Sequence, residues 1–177
     1  LRAELGARAA DIYVLDGLLP GTAERIAQAR AIPVLGTLPQ VNTALALAAS
    51  RGPLAVALQA DTGMNRQGLS LDEAHALACA PAGLRGLDVR LLVSHLGSAS
   101  DPKNPRNASQ LAKFSEVRRW FPDALASLAA SAGVFLGPDY RFDMVRPGVS
   151  LFGGGPLEVP HPDILAVATL SAPIEDI

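Results

Sequence analysis

The fold class is predicted from residues 54–79, which read LAVALQADTGMNRQGLSLDEAHALAC. Residues 54–60 have the composition of a buried strand, and this strand ends at a polar cluster that begins with Asp61. Ser70 and Glu73 have the spacing of a capping box, so we expect a helix to begin there. A buried strand followed by an amphipathic helix is the repeating unit of a parallel sheet, and the chain is predicted to be α/β.

The same unit is expected to repeat on both sides of this segment, because apolar runs of strand length alternate with amphipathic stretches of helix length. Strands are predicted at residues 12–15, 33–35, 54–60, 89–93, 125–129 and 142–145. Helices are predicted at residues 22–30, 40–50 and 70–79 and around residues 111–121.

Small or polar residues follow every predicted strand. In a (β/α)8 barrel such strand ends form the catalytic face, whereas a doubly wound sheet gathers them at one crevice. We favour the barrel, and an open doubly wound sheet of six strands is the alternative. Six strands instead of eight indicate part of a barrel, and residues 1–10 read as a helical piece with no strand before it. Glycine and proline mark a boundary at residues 153–162, and residues 165–170 are predicted to start a further strand.

The composition excludes several classes of partner. The chain has 177 residues, 49% of them hydrophobic, which is enough for a buried core. Its 15 basic and 17 acidic residues give a net charge of -2 without blocks of one sign, so neither a nucleic acid nor an anionic membrane surface is an expected partner. No apolar run reaches the roughly 18 residues of a membrane-spanning helix, and no signal peptide is apparent, so a cytoplasmic location is expected.

Six segments at the predicted strand ends carry a resemblance to a known family. In chain order they are IYVLDGLLPG at 12–21, PVLGTLPQ at 33–40, DTGMNRQGL at 61–69, SHLGSASDP at 94–102, SLAASAGVFLG at 127–137 and MVRPGVSLFGGGP at 144–156. Together and in this order they resemble the alanine racemases.

The resemblance implies a (β/α)8 barrel that binds pyridoxal 5'-phosphate. Residues 1–156 are similar to barrel strands three to eight, and residues 157–177 to a linker and the first strand of a C-terminal β domain. The implied reaction is the interconversion of L-alanine and D-alanine, which supplies D-alanine for peptidoglycan. The implied assembly is a head-to-tail homodimer.

The two bases that the family uses are expected to lie outside this chain. One is a lysine on the missing front of the barrel, and the other is a tyrosine of the partner subunit's β domain. Lys103 and Lys113 do not stand at predicted strand ends, and Tyr13 and Tyr140 match other positions. No catalytic base is therefore assigned here, and the 177 residues alone are expected to be inactive and poorly soluble.

Three side chains are expected to contact or orient the cofactor or the substrate. Arg66 aligns with the arginine that reaches the cofactor's phenolic oxygen and the substrate carboxylate. A guanidinium group suits this role because it stays charged and its paired N–H donors match a carboxylate. The alternative is that Arg66 is a surface arginine. Arg146 aligns with the arginine that faces the pyridine nitrogen, and its alternative is a structural pair with Asp143. His95 resembles the histidine that hydrogen-bonds toward that second arginine, or is a packing residue.

The cofactor phosphate is expected near the end of the last barrel strand. Ser131 can donate its hydroxyl, and the backbone N–H groups of Gly148 and Val149 match the family's phosphate cradle. A glycine after a proline is also an ordinary turn, which is the alternative here.

Three residues depart from the family pattern. Gln59 stands where many members have a carbamylated lysine that positions the arginine, so Arg66 needs another anion or another partner. Ala130 replaces a common asparagine and Phe152 a common tyrosine near the phosphate. Two other readings stay open, a racemase of broader substrate range on the same fold and a non-catalytic remnant.

Overall fold

The computed structural model describes residues 2–5, 10–80, 83–156, 160–169, 171 and 173. Within these residues it has one parallel sheet of five strands, and neighbouring strands in the sheet are also neighbours in the sequence. The strands are β1 (Tyr13–Val14), β2 (Ile32–Leu35), β3 (Leu54–Gln59), β4 (Leu87–Val93) and β5 (Leu125–Ser127).

Helices connect the strands, as the alternating pattern predicted. They are α1 (Arg2–Leu5), α2 (Ala23–Gln28), α3 (Leu38–Arg51), α4 (Leu71–Cys79) and α5 (Pro105–Trp120). Short 3-10 helices follow at Ala132–Leu136, Pro138–Tyr140 and Val149–Phe152.

The capping box predicted for α4 is confirmed. The Ser70 hydroxyl accepts from the Glu73 N–H at 3.2 Å, and the Glu73 carboxylate accepts from the Ser70 N–H at 2.8 Å. Two N–H groups without a partner inside the helix are thus satisfied, which explains why the helix begins there.

The strand order decides between the two predicted topologies. A doubly wound sheet reverses its strand order at the crevice, whereas a barrel adds each new strand beside the previous one. The order β1-β2-β3-β4-β5 has no reversal, so the doubly wound alternative is wrong for these five strands and the sheet matches part of a barrel.

Alternate side chains of the strands pack on opposite faces of the sheet. Val56 and Leu58 of β3 join a large cluster with helix residues such as Phe114 and Val117. Ala57 of β3 joins a smaller cluster on the other face, with Val34 and Leu91 of the neighbouring strands. The helices therefore cover one face, and small and branched side chains fill the other.

The strand predicted at residues 142–145 is not formed. Asp143 and Met144 both donate their N–H groups to the carbonyl of Ala126, and the Asp143 carboxylate accepts from the Ala126 N–H at 2.8 Å. The Asp143 side chain thus accepts the Ala126 N–H that a sixth strand would otherwise bind through its backbone. Only a single parallel bridge, between Ala130 and Arg146, remains in this region.

The strand predicted at residues 165–170 is also wrong as far as it is described, because residues 165–169 have no regular structure. Leu170, residues 157–159 and most of residues 171–177 lie outside the described residues, as do residues 1 and 6–9 of the predicted leading helix. Among the described helices, none combines the length and the apolar composition needed to cross a membrane.

Two exposed ion pairs lie at the amino end of the sheet. Arg51 at the end of α3 pairs with Glu24 at 2.6 Å, and Arg90 in the first half of β4 pairs with Asp88 at 2.8 Å. All four side chains are about half exposed or more, so neither pair contributes much to stability.

Candidate functional site

Arg66 lies in a closed loop at the carboxyl end of β3. The carboxylate of Asp61 accepts from the N–H groups of Gly63 and Asn65 at 2.8 and 3.1 Å. The Asp61 N–H donates to Leu69 O at 2.8 Å, which joins the two ends of the loop. This loop, residues 61–69, is thereby held in one conformation, with Arg66 exposed at its tip.

Gly68 allows the loop to return to the sheet. Its φ is +128°, and a Cβ atom at this position would lie 2.6 Å from the Asp61 nitrogen. Residues other than glycine are strained at such a φ, and the backbone of Asp61 leaves no space for one.

The surroundings of Arg66 contain no anionic partner. Its guanidinium makes no hydrogen bond or ion pair with any residue that the structure describes, although Asp16 lines the same pocket of about 210 Å³. Gln59 also lines this pocket, but its amide nitrogen donates to Gln67 O at 3.1 Å. Because Gln59 replaces the carbamylated lysine, Arg66 was expected to need another partner. None of the described side chains provides one.

Arg146 is held between the carboxyl ends of β4 and β5. One guanidinium nitrogen donates to the carbonyl of Ser94 at 2.6 Å, and another to the carbonyl of Ser127 at 2.8 Å and to the Ser127 hydroxyl. Burial of this cation lowers its pKa to about 10, which leaves it charged at neutral pH.

The structural pair predicted as an alternative for Arg146 is wrong. Asp143 accepts from the Ala126 N–H and lies 3.7 Å from Arg118 instead. Arg146 is a half-buried cation that is satisfied by neutral oxygen atoms, and a group bound beside it meets a charge that no described carboxylate neutralises.

His95 follows β4 and is half-buried. Burial lowers the pKa of its imidazole below the ordinary value of 6.5, and the charges of Arg146 and Arg66 lower it further. The two guanidinium groups therefore both lie within electrostatic range of one neutral imidazole. The predicted hydrogen bond from His95 to Arg146 is not seen among the described residues, since Arg146 uses Ser94 and Ser127.

Ser131 and Gly148 form a cradle with the geometry of an anion site. The Ser131 hydroxyl oxygen accepts from the N–H groups of Gly148 and Ser150 at 2.8 and 3.3 Å. A Cβ atom at Gly148 would meet nothing within 4 Å, so there is open space beside these donors. Both N–H groups point at the Ser131 oxygen here, so a bound phosphate oxygen would replace these bonds or accept from the Ser131 hydroxyl, which still has its own hydrogen to donate.

One pocket of about 440 Å³ unites most of the predicted site. The residues lining it include His95, Ser131, Arg146, Gly148 and Val149, whereas Arg66 lines a second pocket at the carboxyl ends of β1, β2 and β3. The first pocket thus combines a half-buried cation, an imidazole with a lowered pKa and the Ser131 hydroxyl.

Ala130 lines this pocket, and Phe152 does not. Ala130 is bridged to Arg146 through its backbone, so its side chain is not needed for that contact. Phe152 is 68% exposed at the end of its 3-10 helix and provides no hydroxyl donor. Both are compatible with the cradle described above.

The sequence did not indicate four buried polar side chains near the arginines: Thr62, Ser94, Gln110 and Ser127. Gln110 had a weak signal, because it lies four and seven residues before the core residues Phe114 and Val117 of the same helix. In the described part of the chain, no group of histidine, cysteine, aspartate or glutamate side chains is placed to hold a metal ion.

Comparisons with known proteins agree with this geometry. The model of the family described as alanine racemase, N-terminal domain, matches residues 1–156. The alanine racemase of Rhizobium meliloti is 42% identical over 92% of this chain and 43% of its own length, and that of Methylobacterium sp. is 47% identical over 88% and 43%.

A solved structure gives the same result. The alanine racemase from Bartonella henselae, which carries covalently bound pyridoxal phosphate, superimposes with a TM-score of 0.82 and 31% identity over 93% of this chain and 49% of that one. This chain spans less than half the length of the curated relatives named above. The matched family model and the shared fold show that this chain belongs to the alanine racemase family.

Proposed function

We propose that this chain is the central part of a pyridoxal-phosphate-dependent alanine racemase, which interconverts L-alanine and D-alanine and so supplies D-alanine for peptidoglycan. The observation that carries the proposal is the single pocket that joins the half-buried cation of Arg146 to the Ser131–Gly148 cradle. An aromatic ring with a phosphate group needs both features within one cavity.

The residues fit pyridoxal phosphate at both of its ends. Ser131 and the N–H groups of Gly148 and Val149 would hold the phosphate, with the Ser150 N–H beside them. Arg146 would face the ring nitrogen. When bound, the cofactor supplies a conjugated ring that takes up negative charge from the α-carbon of the amino acid.

Arg146 would set the protonation of the cofactor's ring nitrogen. It remains protonated at neutral pH, since its pKa is lowered only to about 10. This cation would disfavour a proton on a ring nitrogen beside it, so the ring would withdraw electrons less fully and would favour simple return of the proton to the α-carbon over side reactions.

Arg66 would bind the carboxylate of alanine. It is exposed, and no described carboxylate occupies its donors, so both arms of its fork are free for a planar anion. His95, whose pKa is lowered, stays neutral between the two arginines and adds no third positive charge to the site.

The groups that move the proton are proposed to come from outside this chain. Lys103 is exposed in a loop and Lys113 is exposed on α5, and Tyr140 lies in a 3-10 helix away from the pocket lining. We therefore assign the two bases to a preceding lysine and to a tyrosine of a second subunit in a head-to-tail dimer.

The direct test is to express the full-length protein that contains this segment and to measure interconversion of the alanine enantiomers with pyridoxal phosphate present. Turnover of alanine well above that of other amino acids supports the proposal. Comparable turnover of several amino acids would indicate a racemase of broader range, and no turnover by a correctly folded, cofactor-loaded protein would indicate a remnant.

Ser131→Ala tests the phosphate cradle separately. The change removes the hydroxyl that orients the Gly148 and Ser150 N–H groups and that can itself donate to a phosphate oxygen, so we expect the affinity for pyridoxal phosphate to fall about tenfold. Ser115→Ala is the matched control, since the Ser115 hydroxyl only donates to Leu111 O within α5. Equal affinities for the two variants, measured by absorbance titration, would contradict the assignment.

A further inference from the structure

A buried polar network lies beneath the two arginines and has no role in the site as described so far. Thr62 and Ser94 are each 1% exposed, and Gln110 is 2% exposed. They come from three different elements, the loop after β3, the end of β4, and α5.

Gln110 joins the ends of two strands. Its side-chain nitrogen donates to the Thr62 hydroxyl at 3.3 Å and to the carbonyl of His95 at 2.9 Å, and its side-chain oxygen accepts from the Gly97 N–H at 2.8 Å. One helix side chain thus binds the loop that carries Arg66 and the segment that carries His95.

Thr62 and Ser94 extend this connection to Arg146. Their hydroxyl groups lie 2.8 Å apart within one hydrogen bond, and the carbonyl of the same Ser94 accepts from the Arg146 guanidinium at 2.6 Å. Thr62 belongs to the closed loop 61–69, whose tip is Arg66. A continuous path of hydrogen bonds therefore runs from the Arg66 loop through buried residues to Arg146.

Stability alone gives little reason for the buried Thr62–Ser94 hydroxyl pair, because its hydrogen bond only roughly offsets the desolvation of the two groups and apolar side chains in both places can be nearly neutral. Gln110 in addition satisfies backbone groups of His95 and Gly97. Directional bonds, however, hold neighbouring segments in one relative position, which apolar contacts do less well.

We propose that Thr62, Ser94 and Gln110 are positioning residues that set the location of the Arg66 loop relative to Arg146, and hence the distance between the substrate carboxylate and the cofactor ring. The proposal rests on the function proposed above. It assigns a role in orientation to residues that touch neither substrate nor cofactor.

The test compares Thr62→Val with Thr62→Ser in the full-length protein. Valine keeps the shape and removes the hydroxyl, whereas serine keeps the hydroxyl. For Thr62→Val we expect the KM for alanine to rise about five- to tenfold with kcat changed about twofold or less, because the carboxylate of the substrate is misplaced. Thr62→Ser should keep the KM within about twofold of the wild type.

Asn107→Ala is the control for a merely structural loss. Asn107 lies on the same helix as Gln110, is about equally buried, and donates to Asp101 O at 2.9 Å, with no hydrogen bond to the described residues of loop 61–69. It should lower the free energy of unfolding and leave the KM within about twofold. An unchanged KM in Thr62→Val, or an equal rise in Asn107→Ala, would overturn the proposal.

Amide hydrogen exchange gives a second readout that needs no activity. Peptides covering residues 61–69 should exchange faster in Thr62→Val than in Thr62→Ser, and equal rates would also overturn the proposal. If the wild-type protein does not racemise alanine, the proposed function fails, whereas the exchange rates still decide whether the network holds the loop.

Discussion

Two glutamines join neighbouring strand ends at different places in the sheet, one through backbone atoms of both strands and the other partly through a side chain. Gln40 of α3 accepts from the Gly36 N–H at 2.8 Å and donates to Asp16 O at 3.0 Å, which connects β2 to β1. Gln110 of α5 accepts from the Gly97 N–H at 2.8 Å and donates to His95 O at 2.9 Å. The oxygen of each side chain thus binds a glycine amide beyond a strand.

The difference lies in what else each glutamine reaches. Gln40 is partly exposed and, in the contacts above, binds only backbone atoms, whereas Gln110 is buried and also binds the hydroxyl of Thr62. Gln40 therefore connects only β1 and β2. The contacts of Gln110 continue through Thr62 and Ser94 to Arg146. Buried hydroxyl groups thus distinguish the sheet edge around Arg146 from the edge around Gln40.

The largest loss of stability should come from adding a Cβ atom at a glycine with positive φ, at Gly68 in loop 61–69 or at Gly17 after β1. Gly68→Ala combines a φ of +128° with a Cβ 2.6 Å from the Asp61 nitrogen, and we expect it to lower the free energy of unfolding by about 4 kcal/mol. Gly17→Ala has a milder φ of +67° but a Cβ 2.6 Å from Val34 O, so a loss of about 2 kcal/mol is expected. Urea unfolding of the full-length protein, followed by circular dichroism, compares the two.

A reversed order of these two losses would show that the loop 61–69 relaxes more readily than the turn after β1. In that case the loop's closed conformation would not be a reason for the fixed position of Arg66.

An intermediate effect is expected from Arg146→Lys. An ammonium group cannot reach the carbonyls of Ser94 and Ser127 with the geometry of the guanidinium fork, so one buried charged hydrogen bond is lost. We expect the free energy of unfolding to fall by about 2 kcal/mol. Arg90→Lys, in the exposed half of β4, should cost no more than about 0.5 kcal/mol. Similar losses in the two variants would remove the distinction between the two ends of the sheet.

The smallest effect concerns the dependence of stability on pH. Because the folded protein has a lowered His95 pKa, the unfolded chain binds a proton more readily below pH 6.5. This contribution to stability is complete above that pH and is lost as the pH falls through 6.5 toward the folded pKa. The free energy of unfolding should therefore fall less between pH 7 and 5 in His95→Gln than in the wild type.

His75→Gln serves as the control, since His75 is exposed on α4. A wild-type slope in His95→Gln, measured by urea unfolding at several pH values, would show that burial and the two arginines do not lower the pKa of this imidazole.

Local signals predicted the parts of the fold that depend on neighbouring residues. The capping box of Ser70 and Glu73 starts α4 as expected, because both partners lie within one turn. β3 was predicted to within one residue, since its run of small and branched apolar side chains is buried on both faces. Five of the residues that line the 440 Å³ pocket were named from the family resemblance, and the sequence also placed polar residues at strand ends, which meet at one edge of a parallel sheet.

Contacts between distant residues could not be predicted in this way. The strand expected at residues 142–145 fails because Asp143 binds the backbone of Ala126, 17 residues earlier. Gln110 was overlooked because a polar residue on a helix is usually solvated, and its partner Thr62 lies 48 residues away. Arg146 was assigned Asp143 as an alternative partner on sequence proximity, whereas its bonds go to residues 19 and 52 positions away.

The exposed ion pairs at the amino end of the sheet have a practical consequence. Arg51, Glu24, Arg90 and Asp88 lie outside both pockets assigned to the site, and they make contacts of low energetic value. Surface charge can therefore be redesigned at that end, for solubility or for attachment to a support, while the chemistry at the opposite end keeps its geometry.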